Sequence, residues 1–140
     1  MNRRAFGISI MVVASSLAAC DDNEAGTLNL PEISPPGWLD VRLTGASGNS
    51  EALLFEVVGG PTDSIVSGKH RVFTNAQTPD QLRVLLVGNL SNDVVAKIWV
   101  PNPSALDRYQ IVLEQVAEGQ EYQQKSVSSY SLNLEMPPSR

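Results

Sequence analysis

The chain has 140 residues, a formal net charge of −5 and 18% charged residues, enough for one hydrophobic core but without the basic run that phosphate backbones attract. One cysteine and one histidine exclude a disulfide framework and the usual zinc ligand sets. No nucleic acid is expected as a partner, and no cofactor or metal.

Met1–Arg4 is a short basic segment, and Ala5–Ala19 is uncharged, mostly apolar and ends in small residues, the layout of a secretory signal. As a helix, residues 5–19 reach only about 22 Å, against roughly 30 Å of bilayer hydrocarbon, so no permanent span is expected there. Leu17-Ala18-Ala19-Cys20 resembles the lipobox of bacterial lipoproteins, in which cleavage leaves the cysteine as a lipidated N-terminus. The resemblance implies a diacylglycerol on the sulfur and often a third acyl chain on the amine. One chain gives marginal membrane binding, whereas two or three hold nearly irreversibly, at about 0.8 kcal/mol per buried CH₂. A thioether sulfur is no nucleophile, metal ligand or disulfide partner. An ordinary signal peptide cut after Ala19 is the alternative, leaving a free terminal thiol at Cys20.

Asn2-Arg3-Arg4-Ala5-Phe6 also resembles a twin-arginine export signal, with ordinary unfolded-chain export the default expectation. Asp21, directly after Cys20, is similar to the inner-membrane retention signal of enterobacterial lipoproteins. Together with Asp22 and Glu24 it is equally similar to surface-export signals of other phyla. Either a periplasm-facing or a surface position in the cell envelope is consistent with these residues.

Loss of residues 1–19 removes Arg3 and Arg4 and takes the formal charge from −5 to −7, a poor fit to anionic lipid. Residues 20–36 then form the lipidated cysteine and a tether that ends in Leu30-Pro31-Glu32-Ile33-Ser34-Pro35-Pro36. Its prolines suit neither a helix interior nor a ladder, and fully extended it spans roughly 50 Å. Residues 37–136 form the expected domain, with 137–140 a short tail.

Within that domain the apolar residues alternate. Trp38–Thr44 sets Leu39, Val41 and Leu43 against Asp40 and Arg42, and Ala52–Val58 sets Leu53, Phe55 and Val57 inward. Ile65–Val66 and Arg71–Thr74 are short candidates, and Leu82–Gly88 reads as a central strand covered on both faces. Val94–Val100 turns Val94, Ala96, Ile98 and Val100 one way and Asp93, Val95, Lys97 and Trp99 the other. Tyr109–Ala117 and Tyr130–Met136 complete seven or eight strands. Asn89–Asp93 is expected as a hairpin loop and Pro103–Tyr109 as a helical turn.

The pattern predicts an all-β fold, an antiparallel β-sandwich, with Leu53, Phe55, Leu86, Ile98, Ile111 and Leu132 in its core. The sandwich is expected to be Ig-like or cohesin-like, and Trp38–Leu43 and Ala52–Val57 also resemble the opening strands of cohesin-type sandwiches and of uncharacterised secreted bacterial domains; no binding residue follows from that likeness.

Catalytic residues are not expected. His70 lies between Lys69 and Arg71, and no Gly-x-Ser-x-Gly elbow occurs. Asp63, Asp80, Asp93, Asp107 and Glu56 fall mainly at strand ends, where turn chemistry accounts for aspartate. Asn89, Asn92 and Asp93 lack the spacing of a calcium loop. The candidate ligand or partner surface is Trp99 with Lys97 and Asp93 on its face, together with Trp38. The expected role is non-catalytic: a lipid-anchored envelope protein that binds another envelope protein or gives structural support, or else binds a glycan or small ligand.

Overall fold

The computed structural model describes residues 34–139, so the basic leader, the lipobox with Cys20 and most of the tether lie outside the described residues. Nine strands form two antiparallel sheets. They are β1 (Gly37–Thr44), β2 (Ser50–Val58), β3 (Ser64–Val66), β4 (Arg71–Thr78), β5 (Gln81–Leu90), β6 (Val94–Val100), β7 (Gln110–Glu118), β8 (Gln123–Lys125) and β9 (Ser131–Glu135). The four-stranded sheet runs β3-β6-β1-β9 and the five-stranded sheet β4-β5-β2-β7-β8. The fold is therefore the β-sandwich that the alternation predicts. A short 3-10 helix at Pro103–Arg108, capped by the Asn102 side chain, fills the expected helical turn.

The core lies between the sheets. From the four-stranded sheet come Leu39, Val41 and Leu43 with Ala96, Ile98 and Val100; from the other come Leu53, Phe55 and Val57 with Val84, Leu86 and Val116. These are the inward sets of alternating strands, and β-branched residues suit such positions. Of the six expected core residues, Leu53, Phe55, Leu86, Ile98 and Leu132 are buried, whereas Ile111 is only partly buried beside the cluster. Ile111 sits at the start of β7 opposite Val57 and lines an open cavity with Leu132 and Leu134.

Several local expectations need correction. The strand count is nine among the described residues because β8, Gln123-Gln124-Lys125, pairs with β7 through its backbone and a 3.9 Å ion pair from Lys125 to Glu118 and carries no apolar alternation to reveal it. β4 runs four residues beyond the expected Thr74, to Thr78. Asn89–Asp93 closes no hairpin, since β5 and β6 belong to different sheets. The true hairpins are β4–β5, across Pro79-Asp80, and β7–β8; every other connection changes sheet. Val95 is buried rather than outward. Val41 pairs with Ala96 and Arg42 with Val94, leaving Val95 as the extra residue of a bulge.

Two glycines lock the ends of β1 and β2. Gly45 (φ 88°) and Gly59 (φ 105°) are left-handed, and a Cβ there would overlap the carbonyls of Ser129 and Arg108 respectively.

Candidate functional site

The outer face of the four-stranded sheet carries the tryptophans. Trp38 and Trp99 are direct cross-strand partners, with ring centroids 5.0 Å apart and planes at 68°. This edge-to-face contact adds about 0.5–1.5 kcal/mol beyond burial. One indole edge meets the other ring, so the pair forms no flat platform of two coplanar rings. In the next row Lys97 Nζ lies 3.3 Å from Asp40 Oδ1, and beyond it Arg42 bonds Glu135 at 2.8 Å.

Asp40 is 5% exposed, and its Oδ1 has this ion pair but no well-angled hydrogen bond. Removing Lys97 would leave a nearly buried carboxylate without its counter-charge.

Trp38, Trp99 and Lys97 thus share one face, with Asp40 as a fourth member that alternation placed there without its burial. Asp93 stands apart. It precedes β6, six residues or about 20 Å of strand from Trp99, and pairs loosely with Lys69 at 3.7 Å. Its carboxyl is held below the ordinary value first by the Val94 backbone N–H, then by Lys69 and Arg42. Asn92 is likewise engaged, accepting from the Ala46 N–H at 2.7 Å and donating to its carbonyl.

The other outer face is more open. Across the five-stranded sheet, Phe73 pairs with Leu85, Leu85 with Leu54 and Leu54 with Gln115. The neighbouring row is Arg71, Val87, Ala52, Ala117 and Gln124. Phe73 is 56% exposed and Tyr122, at the rim, 53%. Leu54, Leu85, Gln115 and Tyr122 line a shallow groove of about 260 Å³. Polar pairs border it: Arg83 bonds Glu114 through two nitrogens at 2.6 and 2.8 Å, and Gln81 donates to Glu56 at 2.7 Å.

This face corrects the reading of Leu82–Gly88 as covered on both sides. Val84 and Leu86 are buried inward, but Leu85 and Val87 are only half-buried outward because no layer covers them among the described residues. Tyr122 has φ 51°, a left-handed conformation that costs a non-glycine residue about 1–3 kcal/mol. The Gly119–Tyr122 turn that imposes it is closed by a 2.9 Å bond from the Tyr122 N–H to the Gly119 carbonyl.

Where β2, β7 and β9 meet, Ser47 donates to Glu118 at 2.6 Å, and the Tyr130 hydroxyl also donates to Glu118. The buried Ser50 hydroxyl lies 3.3 Å from that of Tyr130. Donation from Ser47 and then Tyr130 holds the Glu118 carboxyl below its ordinary 4.5. A depressed folded-state pKa adds stability that is complete above the ordinary value and is lost as pH falls through the folded one. Glu118→Gln is therefore expected to flatten the acid limb of a plot of urea midpoint against pH, below about pH 4.5. An unchanged limb would remove Glu118 from the acid response.

His70 is half-buried, with Nδ1 lacking any hydrogen-bond partner. Burial, then Lys69, pushes its pKa down, and no serine or carboxylate is bonded to its ring among the described residues. Among those residues no group of three or more His, Cys, Asp or Glu is placed to hold a metal, and no helix is long and apolar enough to cross a membrane. No family model, curated protein or solved structure matches the chain.

Proposed function

We propose that this chain is a lipid-anchored protein of the bacterial cell envelope, tethered through Cys20. Its sandwich binds another protein without catalysis, through the outer face of the five-stranded sheet. The observation that carries the reading is the outward row of exposed Phe73 with half-buried Leu85 and Leu54. From Val84 to Val87 β5 is apolar toward both faces, as in a strand covered twice, yet among the described residues only its inner face meets a layer. A contiguous open apolar strip bordered by an ion pair and a side-chain hydrogen bond is the composition of a protein interface, an apolar centre within a polar border. The acidic domain at the end of a tether of roughly 50 Å is suited to reaching a protein rather than lying on lipid.

The test is a photo-crosslinking residue at Gln115, which lines the groove three strands from the β4 edge, in the native cell. A partner of reproducible mass, identified by mass spectrometry and lost with Leu85→Gln, is expected. Absence of any crosslinked product, or a product indifferent to Leu85→Gln, would overturn the assignment of this face. The glycan alternative depends on Trp99, whose edge-on contact with Trp38 argues for packing; retention on peptidoglycan abolished by Trp99→Ala in a folded protein would revive it.

A further inference from the structure

We infer that the sandwich also binds a sugar, held through adjacent hydroxyl groups in the cleft beside Glu118 and Lys125. This cleft is separate from the outer face of the five-stranded sheet and from the tryptophans. On β7, Glu118 is the next residue after the buried Val116 on the same, inner side of the sheet. Across the ladder Val116 pairs with Lys125 and Glu118 with Gln123, which turns Lys125 and Gln123 to that side as well. Both are exposed nonetheless, so the inner side is open at this edge among the described residues. Two cavities of about 320 Å³ each flank the ion pair, and both are lined by Glu118 and Lys125. Asn49 and Glu121 border the first; Ser47, Ser126 and Tyr130 border the second.

The walls are held by backbone contacts. The Gly119 N–H donates to the Asn49 carbonyl at 2.9 Å, tying the β7–β8 turn to the β1–β2 loop. Gly45, in that loop, lies so close to the Ser129 carbonyl that a Cβ cannot fit. Ser129 closes the 3-10 turn at Val127–Ser129, which Ser126 caps. The β1–β2 loop, the β7–β8 turn and this 3-10 turn therefore converge on one cleft, formed before any ligand arrives.

Hydrogen bonding and charge select the ligand. Ser47 and Tyr130 both donate to Oε1 of Glu118, and the buried Ser50 hydroxyl braces Tyr130 at 3.3 Å. Oε2 takes no hydrogen bond among the described residues and faces Lys125 Nζ at 3.9 Å. That separation is too long for a hydrogen bond, yet one oxygen placed beside both atoms reaches each at about 2.8 Å. Such an oxygen must accept from the ammonium and donate to the carboxylate, and a hydroxyl does both. The side chains of Ser47, Asn49 and Ser126 supply partners for a neighbouring hydroxyl. An anion is repelled by Glu118 and Glu121, and a cation by Lys125 beside the same oxygen. The Lys125 and Glu118 side chains are 46% and 18% exposed, so a neutral ligand reaches both.

The test is retention of the full chain, purified from the producing cell in detergent, on two immobilised polymers of that cell. One is its cell-wall glycan and the other its surface polysaccharide; the polymer that retains the protein identifies the source of the sugar. Each is used before and after periodate, which cleaves the carbon–carbon bond between adjacent hydroxyls. Wild type is expected to be retained by one of them, and periodate to abolish retention. Lys125→Met and Glu118→Gln are each expected to weaken it about tenfold or more. Lys125 is half-exposed, so its variant keeps the fold, and unchanged circular dichroism confirms this for both. Leu85→Gln and Trp99→Ala are expected to leave retention unchanged, which separates this cleft from the protein-binding face and the tryptophans. No retention on either polymer, retention that survives periodate, or retention indifferent to Lys125→Met overturns the inference. Retention lost with Trp99→Ala instead overturns it equally, while the Gln115 crosslink stands or falls by itself.

Discussion

Phe55→Ala is expected to lower the unfolding free energy by about 3–5 kcal/mol. Phe55 is fully buried and among the largest side chains in the core. It lies on β2, the central strand of the five-stranded sheet, paired with Val84 on one side and Leu113 on the other. Neighbouring side chains cannot collapse into the space without breaking the ladders that hold them, so the cavity persists and adds to the lost transfer energy. Domains of this size are stable by about 5–15 kcal/mol, so the variant should unfold at a much lower urea concentration with little change in slope. Ile111→Ala, at a site that is only partly buried, should cost clearly less. Equal losses at the two positions would mean that the core extends past the start of β7.

The same alternation explains what the sequence revealed and what it hid. Leu39, Val41 and Leu43, or Leu53, Phe55 and Val57, announce their strands because one face meets a layer and the other meets water. β8 announces nothing, since Gln123-Gln124-Lys125 pairs through its backbone and its side chains are all exposed. Sheet membership is equally silent: a strand that crosses to the other sheet and one that turns back in a hairpin carry the same period of two. That is why Asn89–Asp93 looked like a hairpin loop while it links β5 to the opposite sheet.

Among the candidate site residues, spacing within one strand placed Lys97 and Trp99 together. Nothing local could register Trp38 against Trp99, because cross-strand pairing depends on topology. The open face was written into Leu82–Gly88 as apolar residues on both sides. What periodicity cannot supply is whether a layer or a partner covers the second side, and among the described residues no layer does.

Cys20→Ala is expected to release the protein from the membrane fraction altogether, or to stop its maturation, and this is the larger of the two effects in the cell. Each acyl chain attached at Cys20 would contribute about 0.8 kcal/mol per buried CH₂, so two or three chains make partition into the bilayer effectively complete. Nothing in the domain replaces them. Its formal charge after loss of residues 1–19 is −7, which opposes an anionic surface. The check is fractionation at high salt, with mass spectrometry of the N-terminal peptide. Lipid mass on Cys20 in the wild type and a soluble or uncleaved Cys20→Ala variant are the expected pair of results. A wild-type N-terminal peptide carrying a free thiol would instead mean cleavage by an ordinary signal peptidase after Ala19. The sandwich would then meet its partner by diffusion, and the tether, without a fixed end, would no longer limit its reach to roughly 50 Å from the bilayer.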